Sequence, residues 1–250
     1  MDLSSEQKLR YERQTALEGF GLKAQKKLLK SKVLIVGAGG LGSASILYLA
    51  GAGIGNIGIA DNDKVDISNL PRQIIHNTGN IGTQKTKSAK QAVTILNPDV
   101  KITTYNEQID AQNAAEIFNE YDFIIDATDN PKTKFIINQV CIDINKPFSY
   151  GGINRYMGQT TTIIPGKSPC LACLFGDMIP EIINNHEDKI PVFNTVPGII
   201  GNIQATECIK FLTNLGELLC GELIVFETKQ MRFNKILFNT NPACNICSNL

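Results

Sequence analysis

The segment from Val33 to Gly42 restricts the fold of this chain more than any other part of the sequence. It reads Val-Leu-Ile-Val-Gly-Ala-Gly-Gly-Leu-Gly, so four apolar residues lead directly into a cluster of glycines. Such apolar runs form buried strands, and the glycines permit a tight turn into a following helix. Backbone N–H groups and the positive end of the helix dipole would then face a phosphate. The pattern predicts a nucleotide-binding turn made by Gly37, Gly39, Gly40 and Gly42.

An acidic residue, Asp61, follows the glycine cluster about 20 residues later, at the end of the next apolar segment. At this spacing a carboxylate accepts hydrogen bonds from the ribose hydroxyls of a bound nucleotide. Two alternatives remain at this point. The acid could simply end a strand in solvent, and the same pattern is typical of an NAD-dependent oxidoreductase.

Charge and length limit the classes of protein to consider. With 24 basic and 24 acidic residues, the chain offers no electrostatic reason to expect nucleic acid or a membrane surface as a partner. Residues 33–60 carry no charge, but eight glycines divide them, so we predict protein core and no membrane span. The polar N-terminus lacks the apolar segment of a secretory signal, which predicts a cytoplasmic protein. The length of 250 residues predicts one domain over 1–250.

Apolar segments alternate with amphipathic segments along much of the chain, which is typical of βαβ units. We therefore predict an α/β fold with a doubly wound, mainly parallel Rossmann-like sheet and a C-terminal antiparallel extension. Residues 174–195 lack periodicity and predict a long mobile loop. The predicted strands are Val33–Val36, Asn56–Ala60, Val100–Thr104, Phe123–Ala127, Phe148–Gly151, Gln159–Ile164, Glu222–Glu227 and Arg232–Leu237. The predicted helices are Ala24–Lys30, Leu41–Gly53, Gln84–Leu96, Ala111–Asn119, Pro131–Ile144 and Val196–Leu212.

Charged residues follow the carboxyl ends of two predicted strands, where ligands bind in such sheets. Arg72 and Lys85 come after the second strand and could neutralise a triphosphate. Each could also be an ordinary surface residue. Asp129 comes after the fourth strand, and a carboxylate beside phosphates would suit Mg²⁺. The alternative for the acid is a helix N-cap, because Pro131 favours the first turn of a helix.

Two Cys-x-x-Cys pairs, Cys170/Cys173 and Cys244/Cys247, form the ligand set of a tetrahedral Cys₄ zinc site. Redox pairs or unrelated thiols are the alternatives. A site with four thiolates leaves no open coordination position, so we predict structural zinc. The remaining cysteines are predicted to be small core residues: Cys141, Cys208 and Cys220.

Several further motifs accompany these residues. They are Arg10-Tyr-Glu-Arg13-Gln14, Asp61-Asn-Asp63, Ser68-Asn69-Leu-Pro-Arg72-Gln73, the turn Thr128-Asp129-Asn130, and Gly158-Gln159. Together with the glycine cluster, Lys85 and the cysteine pairs, they occur in the order found in the ThiF/MoeB/HesA family. The chain therefore resembles these bacterial relatives of ubiquitin-activating enzymes over essentially its whole length.

The resemblance implies an adenylyltransferase that uses ATP and Mg²⁺, with Zn²⁺ as a structural ion. Its substrate would be the C-terminal Gly-Gly carboxylate of a β-grasp sulfur-carrier protein of the ThiS or MoaD type. The resemblance assigns catalysis to Arg72, Lys85, Asp129 and Arg13, of which Arg13 would reach the nucleotide from the other subunit of a homodimer. In addition to the glycines, the implied nucleotide contacts are Asp61, Asp63, Asn69, Arg72, Gln73, Lys85, Asp129 and Asn130.

Some members of this family carry a cysteine in the segment that aligns with residues 174–195, but this chain has none there. We therefore expect adenylation without a covalent intermediate on that segment. A cysteine desulfurase or rhodanese-type protein would supply sulfur, for thiamine or molybdopterin synthesis. The alternatives are adenylation of another carboxylate (a peptide C-terminus or a modified tRNA base), an NAD-dependent oxidoreductase, and a scaffold that binds a carrier without activating it.

Overall fold

The computed structural model describes residues 3–184 and 190–248, without the side chain of Asp177. Within these residues, eight strands form one sheet in the order β3-β2-β1-β4-β5-β6-β7-β8. The strands are β1 (Lys32–Val36), β2 (Asn56–Ala60), β3 (Lys101–Tyr105), β4 (Phe123–Asp126), β5 (Phe148–Asn154), β6 (Met157–Ile163), β7 (Glu222–Glu227) and β8 (Arg232–Leu237).

Helices accompany the strands in chain order. They are α1 (Ser5–Arg10), α2 (Glu12–Thr15), α3 (Gly21–Leu28), α4 (Gly40–Ala52), α5 (Lys85–Leu96), α6 (Ala114–Asn119), α7 (Pro131–Asp143), α8 (Leu171–Phe175), α9 (Ile179–Asn184) and α10 (Val196–Thr213). Among the described helices, none has the length and apolar character needed to cross a membrane.

The first five strands of the sheet, β3 to β5, are parallel, and β6, β7 and β8 continue it in antiparallel pairs. The chain winds outward from β1 to β3 and then crosses back to β4 on the other side of β1. This crossing brings the carboxyl ends of β1 and β4 side by side, which is where open α/β sheets bind ligands. The predicted doubly wound sheet with an antiparallel extension is confirmed.

Strand β1 shows why the sheet is covered on both faces. Val33 and Ile35 belong to one apolar cluster and Leu34 and Val36 to another, because successive side chains point to opposite faces. The first cluster includes residues of α3, α4, α5 and α10, and the second includes residues of α6, α7 and α8. A strand buried on both faces must be apolar at every position, which explains the continuous run that opens the sequence pattern.

The prediction of one long loop over 174–195 was wrong for the first half of that segment, residues 174–184. Helix α8 extends to Phe175, and α9 forms because Ile179 packs against the second apolar cluster. Further along, the amide of Phe193 donates to the carbonyl of Arg155 at 2.8 Å, which ties the segment to the β5–β6 turn. Residues 185–189 lie outside the described part of the chain.

Two smaller differences concern the start of the chain and α6. The polar N-terminus, where the sequence predicted no helix, forms α1 and α2, and Tyr11 between them is only 1% exposed. Its hydroxyl accepts a hydrogen bond from the Asn97 side chain at 3.0 Å. Helix α6 begins at Ala114, three residues later than predicted, since Asp110 and Asn113 form a hydrogen-bonded turn before it.

Candidate active site

The glycine turn after β1 is packed too closely to accept side chains at two positions. Gly37 has a φ of +99°, and a Cβ there would lie 2.6 Å from the carbonyl oxygen of Ala127 at the end of β4. A Cβ on Gly42 would lie 1.9 Å from the carbonyl oxygen of Gly37. Both distances are far below van der Waals contact, so glycine at position 37 lets the turn approach the end of β4, and glycine at position 42 lets α4 pack against the turn.

A cavity of about 250 Å³ lies over this turn, between the carboxyl ends of the parallel strands. Most of the residues predicted to bind nucleotide line it. They are Gly37, Gly39, Gly40, Asp61, Asp63, Arg72, Gln73, Lys85, Asp129 and Asn130. The fold therefore brings together residues that are up to 93 positions apart in the sequence.

Three of the predicted site residues do not line the cavity. Gly42 lies beneath the turn. Asn69 uses its side-chain oxygen to accept a hydrogen bond from the amide of Asp66 at 3.3 Å. Arg13 is exposed on α2, next to Gln14, whose side chain donates to the carbonyl of Ala52 at the far end of α4. Since α4 begins at the cavity and spans about 18 Å, Arg13 does not reach the cavity of its own chain.

Asp61 holds the glycine turn in place. One carboxylate oxygen accepts a hydrogen bond from the amide of Ala38 at 2.8 Å, and the other accepts from the amide of Asp63 at 2.8 Å. Burial raises the pKa of Asp61, although the positive charge of Lys85 and the two backbone hydrogen bonds act in the opposite direction. The carboxylate therefore serves the protein backbone and also faces the cavity.

The two basic residues are held by different kinds of contact. Lys85 is the first residue of α5, its side chain is only 7% exposed, and its Nζ lies 2.7 Å from Asp63 Oδ2. Arg72 donates to the carbonyl of Ser68 at 3.1 Å, one turn earlier in the chain. The ion pair with Asp63 therefore holds the Lys85 charge at the cavity wall, and the contact with the Ser68 carbonyl holds the Arg72 charge there.

The turn after β4 assigns helix capping, one of the two roles that the sequence left open for Asp129, to its neighbour Asn130. Asn130 is the N-cap of α7, since its side chain accepts a hydrogen bond from the amide of Thr133 at 3.2 Å. Asp129 is exposed, and its carboxylate has no hydrogen-bond or ion-pair partner within residues 3–184 and 190–248. The capping alternative for Asp129 is therefore excluded, and its carboxylate is free to meet a ligand.

A buried ion pair supports this turn from below. Lys134 of α7 lies 3.2 Å from Asp126 Oδ1 and also donates to the carbonyl of Gly151 on β5. Asp126 in turn accepts hydrogen bonds from the amide and hydroxyl of Thr128. Two neighbouring strands and the helix that follows them are thus connected directly beneath Asp129.

Sequence reasoning missed two contributions to the site. The segment Glu107–Ile109 lines the cavity after β3, as expected for a further parallel strand whose carboxyl end meets the same sheet edge. His76 is buried and contacts the glycine turn through the carbonyl of Ala38. The sequence contains no motif that would have singled out this histidine.

A second, larger cavity of about 860 Å³ adjoins the first. Both cavities are lined by Thr128, Asp129 and Ile153, so they meet at the β4–α7 turn. The second extends along β5 and β6, past Gly152 and Gly158, and is bordered on one side by Ile182 of α9 and Ile190. An extended peptide entering here would bring its end to Asp129.

The four predicted metal ligands form one cluster. Their sulfur atoms all lie within 4.8 Å of one another, with Cys170–Cys244 at 3.7 Å and Cys173–Cys247 at 3.4 Å. Four sulfurs at zinc–thiolate distance around a tetrahedral ion would be about 3.8 Å apart, so the cluster fits Zn²⁺. The cluster connects the start of α8 to the C-terminal segment after β8 and does not border the first cavity.

A protein-family model described as "ThiF family" matches residues 11–246. The chain belongs to the ThiF family. The predicted family resemblance is therefore confirmed, and the match covers the residues that line the first cavity and three of the four clustered cysteines.

Two relatives of this ThiF-family chain are named as an adenylyltransferase and as an activating enzyme. It is 40% identical over 239 residues to "Adenylyltransferase and sulfurtransferase MOCS3-1" of Zea mays, covering 95% of this chain and 51% of the relative. It is 37% identical over 252 residues to "SAMP-activating enzyme E1" of Haloferax volcanii, covering 99% of this chain and 91% of the relative. The chain thus spans about half the length of the MOCS3 relatives and nearly all of the archaeal one.

Among solved structures, the fold resembles that of E. coli MccB in a crystal with ATP. The TM-score is 0.85 and the sequences are 25% identical, with 95% of this chain and 74% of MccB covered. The same protein has also been crystallised with AMPCPP and MccA, again with a TM-score of 0.85 and 25% identity.

Proposed function

We propose that this protein is an ATP-dependent adenylyltransferase that activates the C-terminal Gly-Gly carboxylate of a ThiS- or MoaD-type sulfur carrier. The observation that carries the proposal is the first cavity, called the crevice below, which is lined by the glycine turn, Asp61, Arg72, Lys85 and Asp129. Membership of the ThiF family, a family of adenylyltransferases, supports the reaction type. The similarity to the MOCS3 and SAMP-activating relatives supports a small carrier protein as substrate.

The residues of the crevice match the chemistry of the ribose and of the phosphates of ATP. Asp61 would accept hydrogen bonds from the ribose hydroxyls, and the amides of the glycine turn would face the phosphates. Arg72 and Lys85 would neutralise the triphosphate, which carries more charge than the pyrophosphate of a dinucleotide. Two cations beside the turn therefore favour ATP over NAD as the ligand of this crevice.

In the proposed reaction, a carboxylate oxygen of the carrier attacks the α-phosphorus of ATP. A new P–O bond forms, the bond from the α-phosphorus to the bridging oxygen breaks, and pyrophosphate leaves with the electron pair. No proton has to be transferred. Catalysis then consists of positioning the two anions and neutralising charge on the leaving oxygens, which is the task of Arg72 and Lys85.

Asp129 is the residue best suited to hold Mg²⁺, because its carboxylate lines the crevice and has no protein partner within the described residues. Hard oxygen ligands of this kind, together with substrate phosphates, are the usual environment of Mg²⁺. When bound, the ion would shield phosphate charge from the incoming carboxylate.

The second cavity is proposed to receive the carrier tail. It meets the nucleotide crevice at Thr128 and Asp129, and an extended tail along β5 and β6 would end there. Glycines at the end of the tail would let the backbone pass between the two cavities without side-chain obstruction. A peptide C-terminus of another kind remains the second candidate acceptor, because MccB is similar in fold and was crystallised with MccA.

Three further assignments belong to the same proposal. Residues 1–250 would form one adenylation domain that works as a homodimer, with Arg13 completing the crevice of the partner subunit. The cysteine cluster would hold a structural Zn²⁺. A cysteine desulfurase or rhodanese-type protein would supply sulfur to the adenylated carrier.

ATP–pyrophosphate exchange tests the proposal. The protein should exchange labelled pyrophosphate into ATP only when a carrier ending in Gly-Gly is present, and intact mass should show the carrier heavier by one AMP. The matched control is the same carrier with its terminal carboxylate amidated, which should support no exchange. Exchange with a free peptide but with no carrier would favour the second acceptor, and no exchange with either would refute adenylation.

A further inference from the structure

His76 connects the glycine turn to helix α5. The imidazole is buried, with 6% of the residue exposed. Its Nε2 lies 2.9 Å from the carbonyl oxygen of Ala38, and its Nδ1 lies 2.9 Å from the hydroxyl of Ser88. Neither the nucleotide motif nor the proposed reaction requires a residue in this position.

The partners determine which nitrogen carries a proton. A carbonyl oxygen can only accept, so Nε2 must donate to Ala38. Burial and the charge of Lys85 lower the pKa of His76, which favours the neutral ring with its proton on Nε2. In that form Nδ1 accepts from Ser88. If the ring were charged, Ser88 could donate to Asn80 Oδ1 at 3.0 Å, and Nε2 would still donate to Ala38.

Ala38 is therefore held at both of its backbone polar groups. Asp61 accepts from its amide at 2.8 Å and His76 donates to its carbonyl. All described peptide bonds are trans, and in a trans peptide the C=O and the following N–H point in opposite directions. With the Ala38 carbonyl fixed toward His76, the N–H of Gly39 is directed away from His76, and Gly39 lines the nucleotide cavity.

We propose that His76 is a positioning residue for the nucleotide, acting through the Ala38 carbonyl to fix the direction of the Gly39 amide. This role rests on the proposed binding of ATP in the crevice. Ala38 is fully buried, so without His76 its carbonyl would have no donor among the residues that the structure describes. The peptide would then rotate to find another partner, and the amide would no longer be directed toward phosphate.

Two conservative variants separate this role from a general packing role. Glutamine carries an N–H at about the reach of Nε2, so His76→Gln can still donate to Ala38. Asparagine can place its side-chain oxygen at about the reach of Nδ1, so His76→Asn can still accept from the Ser88 hydroxyl but has no donor that reaches the Ala38 carbonyl. The matched control is Asn97→Ala, because Asn97 is also buried and its side chain donates to a backbone carbonyl, that of Ala50 at the other end of α4.

The experiment measures the dissociation constant for ATP by calorimetry, with the melting temperature of each full-length variant recorded in parallel. We expect His76→Gln to bind within about twofold of wild type and His76→Asn to bind about tenfold more weakly. Asn97→Ala should melt earlier and bind ATP normally. Equal ATP affinity in all variants, or weak binding by His76→Gln and His76→Asn alike, would overturn the inference while leaving the proposed function intact. Absence of ATP binding by the wild type would refute both.

Discussion

Lys85 Nζ lies 2.7 Å from Asp63 Oδ2, and the amide of Lys85 also donates to the carbonyl of Asp63 at 2.9 Å. The same two residues are thus connected through backbone and side chain, at the point where α5 begins. This double contact fixes the direction of a lysine that is otherwise a long, flexible side chain. A fixed positive charge at the cavity wall is what stabilisation of a leaving pyrophosphate requires.

Replacement of this lysine should therefore affect the reaction more than the fold. We expect Lys85→Met to lower the rate of carrier-dependent ATP–pyrophosphate exchange by about 100-fold or more, because a pre-positioned charge at the leaving group is lost. The control is Lys90→Met on the same helix, where the lysine is exposed. Exchange at the wild-type rate in Lys85→Met would remove this residue from the proposed mechanism.

The position of Arg13, at the far end of α4 from the cavity of its own chain, leads to a subunit-mixing test. Arg13→Ala and Asp129→Ala should each be inactive alone. In a mixed dimer one crevice would combine an intact Asp129 with the partner's intact Arg13, and the other would lack both. Random mixing should restore about a quarter of wild-type exchange activity, since half of the dimers are mixed and each has one complete site. No recovery on mixing would argue against a site shared between subunits.

The cysteine cluster predicts one zinc ion per chain, measurable by elemental analysis. Cys247→Ser should lose the zinc and lower the melting temperature, because a four-thiolate site contributes directly to folding and this one connects the C-terminal segment to α8. Cys220→Ser is the matched control, as Cys220 is a partly exposed thiol outside the cluster. Full zinc content in Cys247→Ser would contradict the assignment of this residue as a ligand.

The buried His76 should make the free energy of unfolding depend on pH. Its pKa is lowered in the folded protein, chiefly by burial, so below the ordinary value of about 6.5 the unfolded chain binds the proton more readily. Stability should therefore be complete above that pH and fall as the pH decreases, by at most about 1.4 kcal/mol per pH unit.

Urea unfolding between pH 5 and 8 should show this slope in the wild type and a smaller slope in His76→Gln. The other histidine, His186, lies outside the described residues and is present in both proteins, so its contribution cancels in the comparison. Parallel curves for the two proteins would show that His76 does not titrate differently in the folded state.

The sequence pattern was sufficient to predict the structure wherever a residue's position depends on its neighbours in the chain. The turn of glycines after β1, the place of Asp61 at the end of β2 and the grouping of the two cysteine pairs were predicted correctly, because these motifs have short, fixed spacings in the sequence. The hairpin of β7 and β8 was predicted with its observed boundaries for the same reason. The helix over Ile179–Asn184 was missed, since its stability comes from contact with a distant apolar cluster and leaves no periodic pattern.

The sequence alone therefore determined the class of fold, the glycine turn after β1 and the thiolate cluster, because each depends on covalent spacing and residue type. Only the tertiary structure decided which side chains share the crevice and what each of them contacts. It separated Asn130, a helix cap, from Asp129, whose carboxylate has no partner in the described part of the chain, and it brought His76 against Ala38 from 38 residues away. Such pairings depend on how strands cross at the switch point of the sheet, and packing around β1 and β4 determines them.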